Sequence, residues 1–360
     1  MCKKAIIAMS GGVDSSVAAY LMKQGGYECI GATMKLFDND DIQLDREKTC
    51  CSLSDVEDAR SVAYKLGIPY YVFNFKGNFK ENVIDRFVSA YQNGCTPNPC
   101  IDCNRFLKFD KLFQRMKELD MDYIVTGHYV RTEFDEALGR YLLKKAVDDT
   151  KDQSYVLYSL TQEQLAHVKF PLGAMRKTDV RKIAEENGFI NASKHDSQDI
   201  CFVADGDYAG FIEGYTGKSS QPGEFTDKSG NVLGTHKGII HYTVGQRRGL
   251  GIPAKAPLYV CEICPETNRV VLGSDSDLFS CELAADDVNL ISVDEIKEPM
   301  RVCAKVRYRQ KEQPAVAWQT EDGRLYVKFD EPQRAITKGQ AVVLYDGDVV
   351  VGGGTIKEIK

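Results

Sequence analysis

At 360 residues, with 46 Lys and Arg against 52 Asp and Glu and a formal net charge of −6, the chain is too long for one ordinary core and should divide into two or three domains. The acidic balance excludes a protein that coats nucleic acid indiscriminately, but leaves room for a local basic surface. No run approaches the roughly 18 apolar residues of a membrane span, and the opening MCKKAIIAMSGG is too short in its apolar part for a signal peptide; a cytoplasmic protein without a membrane partner is expected, in which the twelve cysteines are not disulfide staples.

The first half alternates strand-like and helical patterns. Residues 5–9 read as a strand, 15–23 as a helix, 27–36 as a strand, 55–66 as a helix and 70–75 as a strand. Helices follow at 79–91 and 104–119, then a strand at 123–126; residues 38–49 are polar and aperiodic and read as a mobile insertion. This order implies a parallel sheet covered by helices, with ligands at the carboxyl ends of its strands. From about residue 206 the segments shorten and glycine punctuates them. LYVCEICPETNRVVLG reads as a hairpin turning at residues 265–268, and after about residue 280 the apolar and polar alternation suggests a small closed β-barrel. The expected domains are an α/β nucleotide-binding domain at 1–205, a small central domain at 206–278 and a β-barrel at 279–360.

Between the first strand and the first helix stands SGGVDSS, residues 10–16. A strand, a glycine turn and a helix start present free backbone N–H groups and the positive end of a helix dipole, which together favour phosphate. The same residues also serve as ordinary caps and turn formers. A Walker A loop needs a lysine after its glycines, and this turn has none. It resembles instead the PP-loop of the N-type ATP pyrophosphatases, which cleave ATP between the α and β phosphates and adenylate a substrate oxygen.

Two cysteines stand where loops meet regular elements. Cys103 closes CTPNPCIDC immediately before the helical NRFLKFDKLFQRMKEL, so a helix N-terminus should favour its thiolate; Cys201 opens CFVADG after the polar SKHDSQD. Either is equally readable as a small buried hydrophobe. Cys261 and Cys264 have CxxC spacing but no second pair at zinc-ribbon distance, and no metal is expected there. RVCAKVRYRQK holds five basic residues and no acidic one. As a strand it would put Arg301, Lys305, Arg307 and Arg309 on one face and turn Val302, Ala304, Val306 and Tyr308 into the barrel. That stripe suits a phosphate backbone, or is a solvated strand face. Arg247, Arg248 and the helix RKTDVRK at residues 176–182 are further candidates for phosphate contact or plain surface.

Read in order, SGGVDSSVAA, GATMKLF, TPNPCIDCNRFLKF, DYIVTGHY, KDQSYVLY, HDSQDICFV, YTVGQRRGLGI, VRYRQ and KGQAVVLYDGD resemble the tRNA-specific 2-thiouridylase family over essentially the whole chain. The resemblance implies a PP-loop α/β domain, a small central domain and a C-terminal β-barrel. It implies an enzyme that adenylates the C2 oxygen of the wobble uridine of tRNAs for Lys, Glu and Gln and replaces it with persulfide sulfur, releasing AMP and pyrophosphate. Ala8, Met9, Ser10, Gly11, Gly12, Val13, Asp14 and Ser15 would hold ATP with Met34 and Gly127, Asp14 acting through magnesium and pyrophosphate. Cys201 would carry the persulfide, and Cys103 would assist the transfer or form a disulfide with Cys201. Asn98, Pro99 and Cys100 would meet the target base. His128, Lys151, Asp152, Gln153, Arg307, Tyr308 and Gln340 would contact tRNA, although a lone histidine in TGHY also reads as a cap or core residue. Sulfur would come from a donor protein such as a cysteine desulfurase or a sulfur relay protein. Some members of the family have an aspartate at the position of Cys100. The cysteine removes that general acid or base and assembles Cys100, Cys103 and Cys201 into a candidate three-thiolate set for an iron–sulfur cluster. A stacked base cannot show C2 to both ATP and a thiol, so it should be flipped out. The competing readings are another PP-loop ligase or amidotransferase, and a non-catalytic RNA-binding protein.

Overall fold

In a computed structural model, residues 2–37, 53–194, 200–203 and 206–360 are described; the insertion expected at 38–49 lies outside them. Two compact units divide the chain. The first contains residues 1–83, 100–202 and 348–350, and the second contains residues 84–99, 203–347 and 351–360.

In chain order the first unit begins β1 (Lys4–Ala8), α1 (Val13–Gln24), β2 (Glu28–Lys35), α2 (Leu53–Leu66), β3 (Tyr70–Asn74) and α3 (Lys76–Phe79). Helix α4 (Asp85–Gln92) belongs to the second unit, so the helix expected at 79–91 is shared between the two. A helical stretch then runs from α5 (Pro99–Asp102) through a widened π-type segment, Cys103–Lys111, into α6 (Leu112–Glu118). The first unit continues with β4 (Tyr123–Val125), the hairpin β5 (Val130–Asp135) and β6 (Arg140–Lys145), α7 (Gln162–Ala166), β7 (Val168–Lys169) and α8 (Lys177–Glu186).

Its sheet has the order β3-β2-β1-β4-β7 and every pairing is parallel. The apolar runs that form β1 and β4 are sealed on both faces, with Ile6, Ile7, Ile124 and Val125 fully buried, as parallel strands covered by helices require. From β1 the chain winds outward to β2 and β3, then returns to add β4 on the opposite flank of β1. The carboxyl ends of β1 and β4 therefore flank the switch point where open α/β sheets bind ligands.

In the second unit, α9 (Tyr208–Thr216) precedes β8 (Gly223–Thr226), β9 (Val232–His236), β10 (Tyr259–Cys264) and β11 (Arg269–Gly273), which form a sheet ordered β10-β11-β8-β9. Strands β10 and β11 are the expected hairpin, with Asn268 left-handed at the turn (φ 48°). Strands β12 (Phe279–Leu290), β13 (Met300–Lys305), β14 (Gln313–Gln319), β15 (Leu325–Arg334), β16 (Ala341–Asp346) and β17 (Val349–Ile359) run in the order β12-β15-β14-β13-β16-β17. Pairing of β12 with β17 closes the barrel. Its interior is the apolar set that includes Val302, Ala304, Val327, Leu344 and Ile356.

Candidate nucleotide and sulfur site

The turn SGGVDSS lies at the carboxyl end of β1, on the switch point. Gly11 adopts φ +74°, and a Cβ there would run into the Asp55 backbone, so glycine is required twice over. Gly12 is the N-cap of α1, and its carbonyl accepts from Ser15 Oγ (3.0 Å) and Ser16 Oγ (3.1 Å). Ser15 also accepts from the Ser10 amide. The amides of Gly11, Gly12 and Val13 have no acceptor among the described residues, which leaves a concave group of donors suited to an anion. Gly127, just beyond β4, packs on α1 so closely that a Cβ would stand 2.8 Å from the backbone of Asp14 and Ser15. Met34 is half-buried near the carboxyl end of β2. The nucleotide residues expected from the sequence are thus brought together.

The lysine absent from the turn arrives from elsewhere. Lys177, the first residue of α8, places Nζ 2.7 Å from both carboxylate oxygens of Asp14, and the Tyr129 hydroxyl donates to Oδ1 at 2.7 Å. The side chains are 10% and 30% exposed. Asp148 caps this corner by accepting from the Lys177 amide, and that bond together with Thr150 holds the Asp148 carboxyl below its usual range. Asp14 is thus held by an ammonium and a hydroxyl at the start of α1. The basic helix at residues 176–182 is legible in the sequence, but the pairing of its Lys177 with Asp14, 163 residues away, is not.

The two thiols lie in the same unit. Cys103 is half-buried, but it does not sit ahead of its helix. Helical geometry begins at Pro99, a favoured first residue because it has no N–H to satisfy, and Cys103 opens the π-type segment after the first turn. The terminal field falls off within one turn, so Cys103 does not stand where the sequence put it; the cysteine of the first turn is Cys100, which is exposed. Cys201 is half-buried, and its neighbour Phe202 is buried edge-on against Phe79 (5.6 Å), which also meets Phe37 (5.6 Å). Helix α3, carrying Phe79, packs on the segment that begins with Cys103. Among the described residues no group of three or more His, Cys, Asp or Glu is arranged to hold a metal ion. Cys100, Cys103 and Cys201 are not among such a group in the described residues. Cys261 and Cys264 lie along β10 with their thiols pushed up, burial being the main cause.

The expected tRNA residues divide by what their side chains touch. His128 is 9% exposed, lies against Phe109 and Phe170, and has Nδ1 2.7 Å from Thr126 Oγ1. Desolvation, with Lys108 adding to it, pulls its pKa well down, so it is a neutral core residue here. Asp152 accepts from the Ala146 amide and Ser154 Oγ, and Gln153 accepts from the Tyr129 amide; both shape their own loop. Lys151 is half-buried in a turn. In the second unit, Gln340 donates to the Thr96 carbonyl at 2.6 Å, two residues before Asn98, which is half-buried. The basic stripe is broken up. Strand β13 stops at Lys305, Arg307 turns in to the Ala335 carbonyl, and Arg301 forms a bidentate pair with Asp330 at 2.8 Å. Tyr308 does not enter the barrel but is 38% exposed, beside an exposed Arg309. Arg247 and Arg248 are exposed as well.

No helix among the described residues is long and apolar enough to cross a membrane. Three family models match the chain: a tRNA methyl transferase HUP domain at residues 3–205, a tRNA methyl transferase PRC-barrel domain at 209–274, and an aminomethyltransferase β-barrel domain at 280–356. The fold is accordingly an N-terminal parallel-sheet HUP domain of PP-loop type, a small middle domain and a C-terminal β-barrel. Curated relatives are similar from end to end. A tRNA-specific 2-thiouridylase MnmA of Clostridioides difficile (strain 630) is 55% identical, covering 99% of each chain. One from Thermoanaerobacter sp. (strain X514) is 56% identical over 98% of each, and one from Acetivibrio thermocellus is 56% identical over 99% of each. With likeness of that extent spanning all three domains, the chain belongs to the tRNA-specific 2-thiouridylase family.

Proposed function

We propose that this protein is an ATP-dependent tRNA sulfurtransferase that converts the wobble uridine to 2-thiouridine. The observation that carries the reading is the unpartnered amide group at Gly11, Gly12 and Val13 on the sheet's switch point, in a unit that also holds Cys103 and Cys201. The amides of Gly11, Gly12 and Val13 would hold the phosphates of ATP, and magnesium beside Asp14 would offset their charge and that of the departing pyrophosphate. The uridine C2 oxygen attacks the α-phosphorus and pyrophosphate leaves, so C2 becomes electrophilic with AMP as its leaving group. The terminal sulfur of a Cys201 persulfide adds to C2 and AMP departs, leaving a Cys201–S–S–C2 link. The Cys103 thiolate then attacks Cys201 Sγ, which breaks the sulfur–sulfur bond to the base, releases 2-thiouridine and forms a Cys103–Cys201 disulfide. A dithiol reductant restores both thiols, and a persulfide-bearing donor protein reloads Cys201.

Domains at 1–205, 206–278 and 279–360 perform activation, support and tRNA holding. The substrates are tRNAs for Lys, Glu and Gln, with the base flipped toward Asn98, Pro99 and Cys100. Arg307, Tyr308, Arg309 and Lys151 track phosphate, and the remaining expected tRNA residues hold their loops. Incubation with ATP, a persulfide donor and unmodified tRNA yields 2-thiouridine with AMP and pyrophosphate. Cys201→Ser lowers product by at least about a hundredfold while ATP and tRNA affinities stay within about twofold. AMP formation without sulfur incorporation would indicate another PP-loop ligase, and tRNA binding without ATP turnover a binding protein.

A further inference from the structure

Two side chains that precede the Cys201 segment reach back to one peptide of the nucleotide turn. Asn191, 2% exposed, donates from Nδ2 to the Gly11 carbonyl and to Ser16 Oγ, each at 2.9 Å. Lys194 Nζ approaches the same carbonyl at 3.5 Å while pairing with Asp55 (2.6 Å) and Asp58 (2.7 Å). Arg181 of α8 holds this stretch from the other side, donating to the carbonyls of Ala192 (3.2 Å) and Lys194 (3.1 Å). Phe189, just upstream, is buried edge-on against Tyr20 of α1.

A trans peptide is planar, so its C=O and the N–H that follows point in opposite directions. Fixing the Gly11 carbonyl toward Asn191 and Lys194 therefore aims the Gly12 amide, which has no acceptor among the described residues, the other way. Gly11 has no room to relax, given its positive φ and its contact with Asp55.

We infer that Asn191 and Lys194 are positioning residues, which lock the Gly11–Gly12 peptide so that the Gly12 amide faces the phosphates of ATP. They belong to the same compact unit as the nucleotide turn. The inference rests on the function proposed above, but its main measurement, ATP affinity, needs neither tRNA nor sulfur.

The full-length protein is compared with Asn191→Leu, Lys194→Met, Lys194→Arg and, as a control at an exposed position of α8, Glu185→Gln. Equilibrium binding of ATP with magnesium, melting temperature, and single-turnover thiolation by persulfide-loaded enzyme at saturating ATP are measured. Asn191→Leu and Lys194→Met should each weaken ATP binding about tenfold or more and slow the saturated turnover by a similar factor. Lys194→Arg should recover to within about threefold of the parent, and Glu185→Gln should match it. Unchanged ATP affinity in the Lys194→Met protein overturns the inference. So does a loss of ATP affinity that Lys194→Arg fails to rescue and that follows a fall in melting temperature, since both mark a purely structural support. If Asn191→Leu does not fold, Asn191→Ser and the Lys194 series decide. A parent that binds ATP and never thiolates tRNA refutes the function and leaves the ATP result to judge the positioning role.

Discussion

Lys177–Asp14 in the first unit and Arg301–Asp330 in the second are ion pairs of nearly equal length, 2.7 and 2.8 Å. The first joins side chains that are 10% and 30% exposed, and the second joins side chains that are 62% and 45% exposed. Water screens the barrel pair on most sides, so its two charges lose little when separated. Around the nucleotide turn the charges lie among Tyr129, Asp148 and the start of α1, where an unmatched carboxylate would have no adequate solvation. The difference shows that the same contact distance means two things. Near the turn, the ion pair holds the backbone that the proposed function assigns to phosphate; on the barrel, the exposed Arg301 can exchange partners at little cost.

Removing the ammonium near the turn is the severest way to try that contrast. Lys177→Met leaves the Asp14 carboxylate unbalanced and should destabilise the protein by about 2 kcal/mol, reduced from the fully buried case because Asp14 is partly exposed. Denaturant titration measures it, and adding Asp14→Asn should return part of the loss; a Lys177→Met protein as stable as the parent would erase the distinction. His128 tests the same interior by pH. Its folded pKa is depressed from 6.5, desolvation being the main cause. The unfolded chain therefore binds the proton more readily, and stability present above about pH 6.5 is lost as pH falls toward the folded value. His128→Gln should flatten that slope between pH 7.5 and 5.5 in urea titrations.

On the barrel the expected effects move from stability to binding. Arg307→Gln with Arg309→Gln should weaken tRNA binding and lower the slope of log affinity against log salt by about 1 to 2, with melting hardly changed. Smallest of all, Arg301→Met should leave the melting temperature within about 1 °C, as expected for an exposed pair. A large loss there would make the barrel resemble the nucleotide unit after all.

Hydrophobic patterning revealed the sheet, its helices and the barrel because each buries a face that must recur at a fixed period. The glycine turn was legible for a related reason, since only particular residues permit its backbone. Cys103 was misplaced relative to its helix start because Pro99 admits a helical turn that the cysteine-rich spacing hides. Tyr308 was turned the wrong way because alternation was continued past Lys305, where the strand ends. Asn191 and Lys194 left no local signal, and the basic helix that holds Lys177 gave none of its pairing with Asp14. Each matters through a contact spanning at least 136 residues, and only the folded chain displays it.

One contact of the second unit bears on when the protein becomes competent. Thr96 is seated by the turn at residues 338–340: its amide donates to the Lys338 carbonyl (2.9 Å), its carbonyl accepts from Gln340, and Gly339 lies so close that a Cβ would come within 3.0 Å of Cys95. These partners are separated by 244 residues for Gln340 and Thr96. While the ribosome is still translating, the approach to Asn98 has no seat until residue 340 has emerged, so a nascent chain with a finished nucleotide turn still lacks the ordered segment to which the proposed function assigns the target base.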